Sequence, residues 1–315
     1  MIDLSRLRVC VTGGGGFLGR VVCQKLRDRG VEDDQLIIPR RSQFDFTQQD
    51  DCERLYKQNE PNVIIHLAAE VGGIGANRAH PGRFFFANMA MGMHLIELAR
   101  RHHARKFVLA GTVCAYPKFA PVPFDEDELW NGYPEETNAP YGIAKKSLFV
   151  MLDAYEREYG LPSAVVVPVN LYGPGDNFDP RSSHVVPALI RKCVEACDQR
   201  EQSIECWGSG SASREFLYVD DAAEGIVRAA ERLEKPQPVN LGTGQEITIR
   251  ALAHMIANLC GFGGQIAWNR NKPDGQPRRC LDTTRAQQSL DWKARMPLEE
   301  GLRNTIEWWQ HSVAT

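Results

Sequence analysis

Short, continuously apolar runs alternate with longer stretches of helical period through the first half of the chain. "LRVCVT" (7–12) predicts a strand, and "FLGRVVCQKLRDRG" (17–30) the helix that follows it. "QLIIP" (35–39) predicts a second strand, the polar pattern at 48–58 a helix, and "NVIIHLA" (62–68) a third strand. "NMAMGMHLIELARRHH" (88–103) carries a helical period that leads into the strand "KFVLA" (106–110). "YGIAKKSLFVMLDAYEREYG" (141–160) is a further helix with Gly160 as its cap, and "SAVVVPVNLYG" (163–173) a further buried strand. Strands apolar throughout are buried on both faces, and strands joined through helices run parallel. The pattern predicts an α/β fold with a Rossmann-like, doubly wound parallel sheet.

Beyond about residue 172 the texture changes. "GPGDNFDPRSSH" (173–184) is a long polar loop, followed by helical and short strand patterns that include "VNLGTG" (239–244). The division expected is a nucleotide-binding domain over 1–172, with a return near 220–245. A smaller C-terminal α/β substrate domain would come from 173–219 and 246–315.

Composition narrows the class. Hydrophobic residues make up 43% of the 315 and charged residues 24%, an ordinary globular balance. A formal net charge of −3, without long blocks of one sign, gives no electrostatic reason to bind nucleic acid or an anionic membrane. The opening "MIDLSRLRVCVTGG" has no apolar leader core, and no run approaches the ~18 apolar residues of a membrane span. Nine cysteines, an odd number, fit reduced thiols in the cytoplasm. Cys193 and Cys197 lie one helical turn apart without further ligands nearby in sequence, so packing is expected there and no metal.

"TGGGGFLG" (12–19) places Gly13, Gly16 and Gly19 between a predicted strand and a predicted helix. Glycine lets the backbone approach a pyrophosphate, and a helix N-terminus favours its charge. A plain turn is the simpler alternative, but the strand–loop–helix context points to a dinucleotide. The second strand ends not in an acid but in "IIPRR". Arg40 and Arg41 suit a 2′-phosphate and so NADP(H), although a solvated pair would look the same and Asp45 lies close by.

"GTVCAYP" (111–117) follows the strand "KFVLA" and puts Thr112 and Cys114 on the loop beyond its carboxyl end. "YGIAK" puts Tyr141 and Lys145 on one helix face. A lysine beside a tyrosine is expected to lower the phenol from its reference pKa of about 10 and so help it exchange a proton with a carbonyl oxygen.

With "HLAA" (66–69), "NLYGPGDN" (170–177), "REFLYVDD" (214–221) and "NLGTG", these motifs resemble the extended short-chain dehydrogenase/reductases that act on nucleotide sugars. Within them the chain resembles the GDP-L-fucose synthase family, the GDP-4-keto-6-deoxymannose 3,5-epimerase-reductases. "HLAAEVGGIGAN" (66–77), "CAYPK" (114–118), "NLYGPGDNFDPRSSHVVPALIRK" (170–192), "WGSGSASREF" (207–216) and "KPDGQPRR" (272–279) carry that resemblance nearly end to end. It implies Cys114 as the base and His184 as the acid of epimerisation, with Thr112, Tyr141 and Lys145 serving reduction at C4. Taken singly, Cys114 would read as a small buried residue and His184 as a solvated one. The same resemblance sets Phe17, Leu18, Ala68, Ala110, Gly111, Pro168, Asn170, Leu171 and His184 against NADP(H). Lys192, Trp207, Arg214 and Asp274 would hold the GDP-sugar, though Trp207 also fits a core aromatic. A homodimer is the expected assembly.

The chain departs from the family pattern at four points. Thr112 stands for a serine, "TVCAYP" for "SSCIYP", Glu70 precedes "VGG", and the glycine loop lacks an arginine. The alternatives are a GDP-mannose 3,5-epimerase with no net redox change, and a non-catalytic NADP-binding protein on the same fold. A 4,6-dehydratase is disfavoured, because Val113 and Cys114 occupy the place of its acid/base pair.

Overall fold

The structure is a computed structural model that describes residues 1–272 and 274–313. The first half runs β1 (Val9–Thr12), α1 (Phe17–Arg27), β2 (Leu36–Ile37), α2 (Gln49–Asn59), β3 (Val63–His66), α3 (Ile74–Ala79), α4 (Pro81–Arg101), β4 (Lys106–Ala110), α5 (Ala139–Tyr159) and β5 (Ser163–Pro168). The second half runs β6 (Asn170–Tyr172), α6 (Val185–Gln199), β7 (Ser203–Trp207), β8 (Ser213–Tyr218), α7 (Val219–Arg232) and β9 (Pro238–Leu241). It continues through β10 (Glu246–Thr248), α8 (Ile249–Cys260), β11 (Gln265–Asn269), α9 (Thr284–Leu290) and α10 (Leu298–Val313).

β2-β1-β3-β4-β5-β9 form one six-stranded sheet with every pairing parallel. β1, β3 and β4 are buried along their whole length, as their unbroken apolar runs require. α1 packs with α7, while α4 packs with α2 and α5. This is a Rossmann-like, doubly wound α/β fold. Val9 pairs with Leu36 on one side and Val63 on the other, so the strand order reverses at β1/β3. Ligands of open α/β sheets bind at such a switch point, beyond the carboxyl ends of the strands.

Three boundaries differ from the sequence reading. β2 is a two-residue edge strand, because Pro39 cannot extend its ladder. α4 starts at Pro81, ahead of the periodic stretch at Asn88. Proline is favourable in a first helical turn, and the triplet Phe84–Phe86 hides the pattern because only Phe84 is buried. "SAVVVPVNLYG" is two strands in two sheets. At Val169 the amide still bonds Leu241 O (3.0 Å), but from Asn170 the chain pairs with β8 in a three-stranded sheet, β10-β8-β6. Gly160 does cap α5, at φ +67°.

Buried apolar residues fall into two clusters. One surrounds the six-stranded sheet and includes Leu281, Leu290 and Trp292, which lie within the stretch assigned from sequence to the second unit. The other joins α6, α8 and α10, with Cys193 fully buried in it. Glu215 on β8 ties the two together. Its carboxylate is fully buried and accepts backbone N–H groups from Thr243, Gly244 (2.7 Å) and Leu281 (2.7 Å).

Candidate active site

The cofactor residues expected from sequence gather at the carboxyl ends of the sheet's central strands. Gly13 follows β1, Ala68 follows β3, Ala110 and Gly111 end β4, and Pro168 ends β5. Gly13 has φ +76°, and a β-carbon there would lie 2.9 Å from the Ala68 nitrogen. Only glycine allows that approach across the switch point. Gly16 is the N-cap of α1 and offers no side chain, so the first-turn amides, those of Phe17 and Leu18 among them, are left for an anion. Gly19 is buried in the same turn. The cradle fits a pyrophosphate.

The two arginines part company. The Arg40 guanidinium lies against Gly15, over the loop that lacks an arginine of its own. Arg41 is instead paired with Glu70 Oε1 at 3.0 Å, and Glu70 also receives Arg83 Nε at 2.7 Å. Arg83 and then Arg41 hold the Glu70 carboxyl below its ordinary pKa. The expectation that both arginines stand free for a phosphate is therefore corrected for Arg41. Asp45 is exposed and caps its own loop, accepting the Thr47 N–H (3.0 Å) and hydroxyl (2.7 Å).

Thr112 caps the short turn Val113–Ala115, its Oγ1 accepting the Cys114 N–H at 3.2 Å. That capping bond fixes hydroxyl and thiol on one turn. Tyr141 is buried in the first turn of α5, and Lys145 is buried one turn later. Lys145 Nζ donates to Ala110 O at 3.0 Å, and burial lowers its pKa to about 8. Burial raises the Tyr141 phenol, the Cys114 thiol adds to this, and the Thr112 hydroxyl opposes it. The expected lowering of the phenol by Lys145 is thus not what this site does. Desolvation dominates both groups, and the ammonium is turned to a backbone carbonyl.

Cys114 Sγ accepts a hydrogen bond from Arg279 Nη1 at 3.8 Å. Arg279 is 7% exposed, and its Nε and Nη2 donate to Gln276 Oε1 at 3.2 and 3.1 Å. Arg214 on β8 is lowered to about 10, first by burial and then by Arg279. His184, the N-cap residue of α6, keeps exposed surface, yet the surrounding protein and then Arg279 lower its imidazole below the ordinary value.

On the substrate side, Trp207 is 52% exposed with Lys272 Nζ 5.0 Å above its ring, so it is no core aromatic. Asp274 accepts Ser209 N–H (2.7 Å) and Oγ (2.8 Å), while Arg214 Nη2 donates to Asp274 O at 3.3 Å. Lys192 Nζ donates to Glu205 O at 2.6 Å, and Asn170 Nδ2 to Glu215 O at 2.8 Å. Leu171 is half-buried in β6. Among the described residues no group of His, Cys, Asp and Glu could hold a metal ion. Sequence reasoning missed Arg279, Gln276 and Glu215. The first two stand in the motif "KPDGQPRR" and the third in "REFLYVDD", which were the available signals.

A glycine cradle at a switch point, with a Thr–Tyr–Lys set at the end of β4, defines an oxidoreductase-type dinucleotide site of the extended short-chain class. The chain belongs to the NAD dependent epimerase/dehydratase family, whose model matches residues 9–242. It is 38% identical over 306 residues to GDP-L-fucose synthase 1 of Arabidopsis thaliana, covering 97% of this chain and 94% of that one. It is also 38% identical over 314 residues to the GDP-L-fucose synthase of Escherichia coli K12, covering 97% of each. Among solved structures, a GDP-mannoheptose C4 reductase from Campylobacter jejuni with NADP bound superposes at a TM-score of 0.86, with 26% identity over 97% of this chain and 99% of that one.

Proposed function

We propose that this protein converts GDP-4-keto-6-deoxy-D-mannose to GDP-L-fucose, inverting C3 and C5 and then reducing C4 with NADPH. One observation carries the reading: a hydroxyl and a thiol share the turn after β4, against a buried tyrosine. A ketone at C4 acidifies the protons on both neighbouring carbons. With its oxygen on Thr112 and Tyr141, those carbons come within reach of Cys114. The thiolate takes a proton, and the electrons pass to the C4 oxygen. Thr112 and Tyr141 stabilise the enolate in the manner of an oxyanion hole. His184 returns a proton to carbon, and Tyr141 finally protonates the C4 oxygen. Bound across the glycine cradle, NADPH supplies the hydride. The identified relatives are synthases and lend no support to the redox-neutral epimerase.

Arg40 is the first choice for the 2′-phosphate. Arg214 and Lys192 suit the diphosphate, and Trp207 the nucleoside. In this reading the unit of 1–172 with 220–245 holds the cofactor and that of 173–219 with 246–315 the sugar nucleotide, the stretch from Leu281 to Trp292 packing back on the first. Exposed Phe86 and Met93 on α4 and Val150 on α5, helices that pack together, support a homodimer joined through them. All nine cysteines are free thiols and no described helix is long and apolar enough to cross a membrane, which supports a cytoplasmic location. The test is NADPH oxidation with GDP-4-keto-6-deoxymannose, run beside GDP-mannose. Turnover of neither would overturn the reading.

A further inference from the structure

The charge around Cys114 is unbalanced. Arg279 is buried and Arg214 half-buried; among the described residues neither forms an ion pair with a carboxylate, and the Asp274 and Glu135 carboxylates act on Arg214 only from a distance. A guanidinium stays protonated, and amides or carbonyls satisfy its donors without neutralising it. Arg214 donates to the carbonyls of Ser213 and Asp274. Arg279 is held more closely. Gln276, itself buried, takes two of its nitrogens and is fixed in turn through Nε2 to Lys118 O at 2.9 Å. The Glu215 N–H holds the Arg279 carbonyl at 3.1 Å, so β8 sets its backbone. What remains is Nη1, aimed at Cys114 Sγ. Of the groups its nitrogens reach, this sulfur alone can become an anion.

We propose that Arg279 is a positioning residue that holds the Cys114 sulfur as a thiolate, oriented by Gln276, before substrate arrives. The proposal rests on the reading of Cys114 as the epimerisation base. A thiolate, and not a thiol, accepts a carbon-bound proton. Other groups also face this corner. Tyr141 from α5 and Arg214 from β8 face the sulfur, Asp274 and Glu135 face Arg214, and His184 from α6 faces Arg279. His184 is held below the ordinary imidazole value, first by the surrounding protein and then by Arg279, and replacing it alone separates its contribution.

The experiment follows alkylation of Cys114 by iodoacetamide from pH 6 to 9.5, read by intact mass, with Cys114→Ser subtracting the other thiols. Substrate is absent, so sugar binding does not enter. Arg279→Met keeps an unbranched apolar stem and removes the charge. It should move the half-maximal pH up by about one unit or more, which lowers alkylation at pH 7 about threefold to fivefold for a thiol held largely as thiolate there. Arg279→Lys should recover most of the loss, and Gln276→Leu should shift the profile the same way by less. A His184→Ala background should leave the Arg279→Met shift in place. An unchanged profile in Arg279→Met overturns the proposal, as does Arg279→Lys behaving like Arg279→Met. Should Arg279→Met fail to fold by circular dichroism, unchanged profiles in both Arg279→Lys and Gln276→Leu overturn it. Failure of the functional reading looks different: the unaltered enzyme would neither exchange the sugar's C3 and C5 protons nor oxidise NADPH, while the alkylation shift persisted.

Discussion

Gly142 and the Cys114 carbonyl oxygen lie so close that a β-carbon on Gly142 would collide with that oxygen. The missing side chain lets the first turn of α5, which carries Tyr141, lie against the turn that carries Thr112 and Cys114. Gly142→Ala would ordinarily favour a helix interior by about 0.5–1 kcal/mol. Here the backbone contact must yield, and displacing a catalytic group by about 1 Å can cost ~100-fold in rate. The expected outcome is a lower Tm and at least a tenfold loss of kcat. Steady-state assay with thermal denaturation checks it, and a more stable, fully active variant would contradict this packing.

Tyr141→Phe should lower turnover about 100-fold or more, the usual size of a general-acid contribution. Fluorescence titration should show NADPH binding largely kept. Near-normal reduction by that variant would remove Tyr141 from the chemistry.

Arg40 and Arg41 should separate on substitution. Arg40→Ala should raise KM for NADPH about tenfold, the scale of one lost charge-assisted bond, and leave NADH nearly unchanged. Arg41→Ala should do less, because Glu70 already opposes its charge. The unaltered enzyme should prefer NADPH. Equal kcat/KM for the two cofactors would defeat the assignment.

Lys145 gives a pH dependence with a definite sign. Its folded pKa is about 8, below the reference value of about 10.5. The unfolded chain therefore binds the proton more tightly, and the buried ammonium opposes folding below pH ~8. As pH rises from about 8 to about 10.5, that opposition fades and stability gains. Lys145→Met should thus be inactive in reduction yet more stable at pH 7, by on the order of 1–3 kcal/mol. The gain should shrink toward zero near pH 10.5. Urea denaturation at pH 7 and pH 10 measures it, and a gain independent of pH would point to packing instead.

Much of this was legible before the fold was known, and the limits have physical causes. β1, β3 and β4 were readable because burial on both faces demands unbroken apolar runs. Gly160 was readable because a left-handed cap favours glycine. The break between Pro168 and Asn170 was not, since Val169 is as apolar as its neighbours and only pairing to Leu241 on one side and β8 on the other decides it. Thr112, Tyr141 and Lys145 stand in local motifs. Arg279 reaches Cys114 across 165 residues, and Arg41 meets Glu70 across 29, distances at which spacing carries no signal. The same holds for the phenol. Tyr141 and Lys145 share a helix face as expected, but burial dominates the proton affinities of both.

Cys114 should serve epimerisation and not reduction. Its sulfur lies on the turn of Thr112, the hydroxyl proposed to hold the C4 oxygen, so it is placed for the carbons beside the ketone. It has no part in carrying hydride to C4. Cys114→Ser keeps the shape but offers a hydroxyl far too weakly acidic to act as a thiolate does, and Arg279 would face a neutral group. Exchange at C3 and C5 should collapse. Reduction of the unepimerised ketone should survive in part, through Tyr141, and yield a GDP-6-deoxy sugar of D configuration. His184→Ala should leave proton removal less affected than proton return, because the imidazole is the group proposed to hand the proton back to carbon. The measurement is deuterium uptake from D₂O at both carbons, with product stereochemistry read by NMR. If Cys114→Ser exchanges both positions at the native rate and delivers the L sugar, the thiol is a packing residue and the base must be sought elsewhere on this cleft.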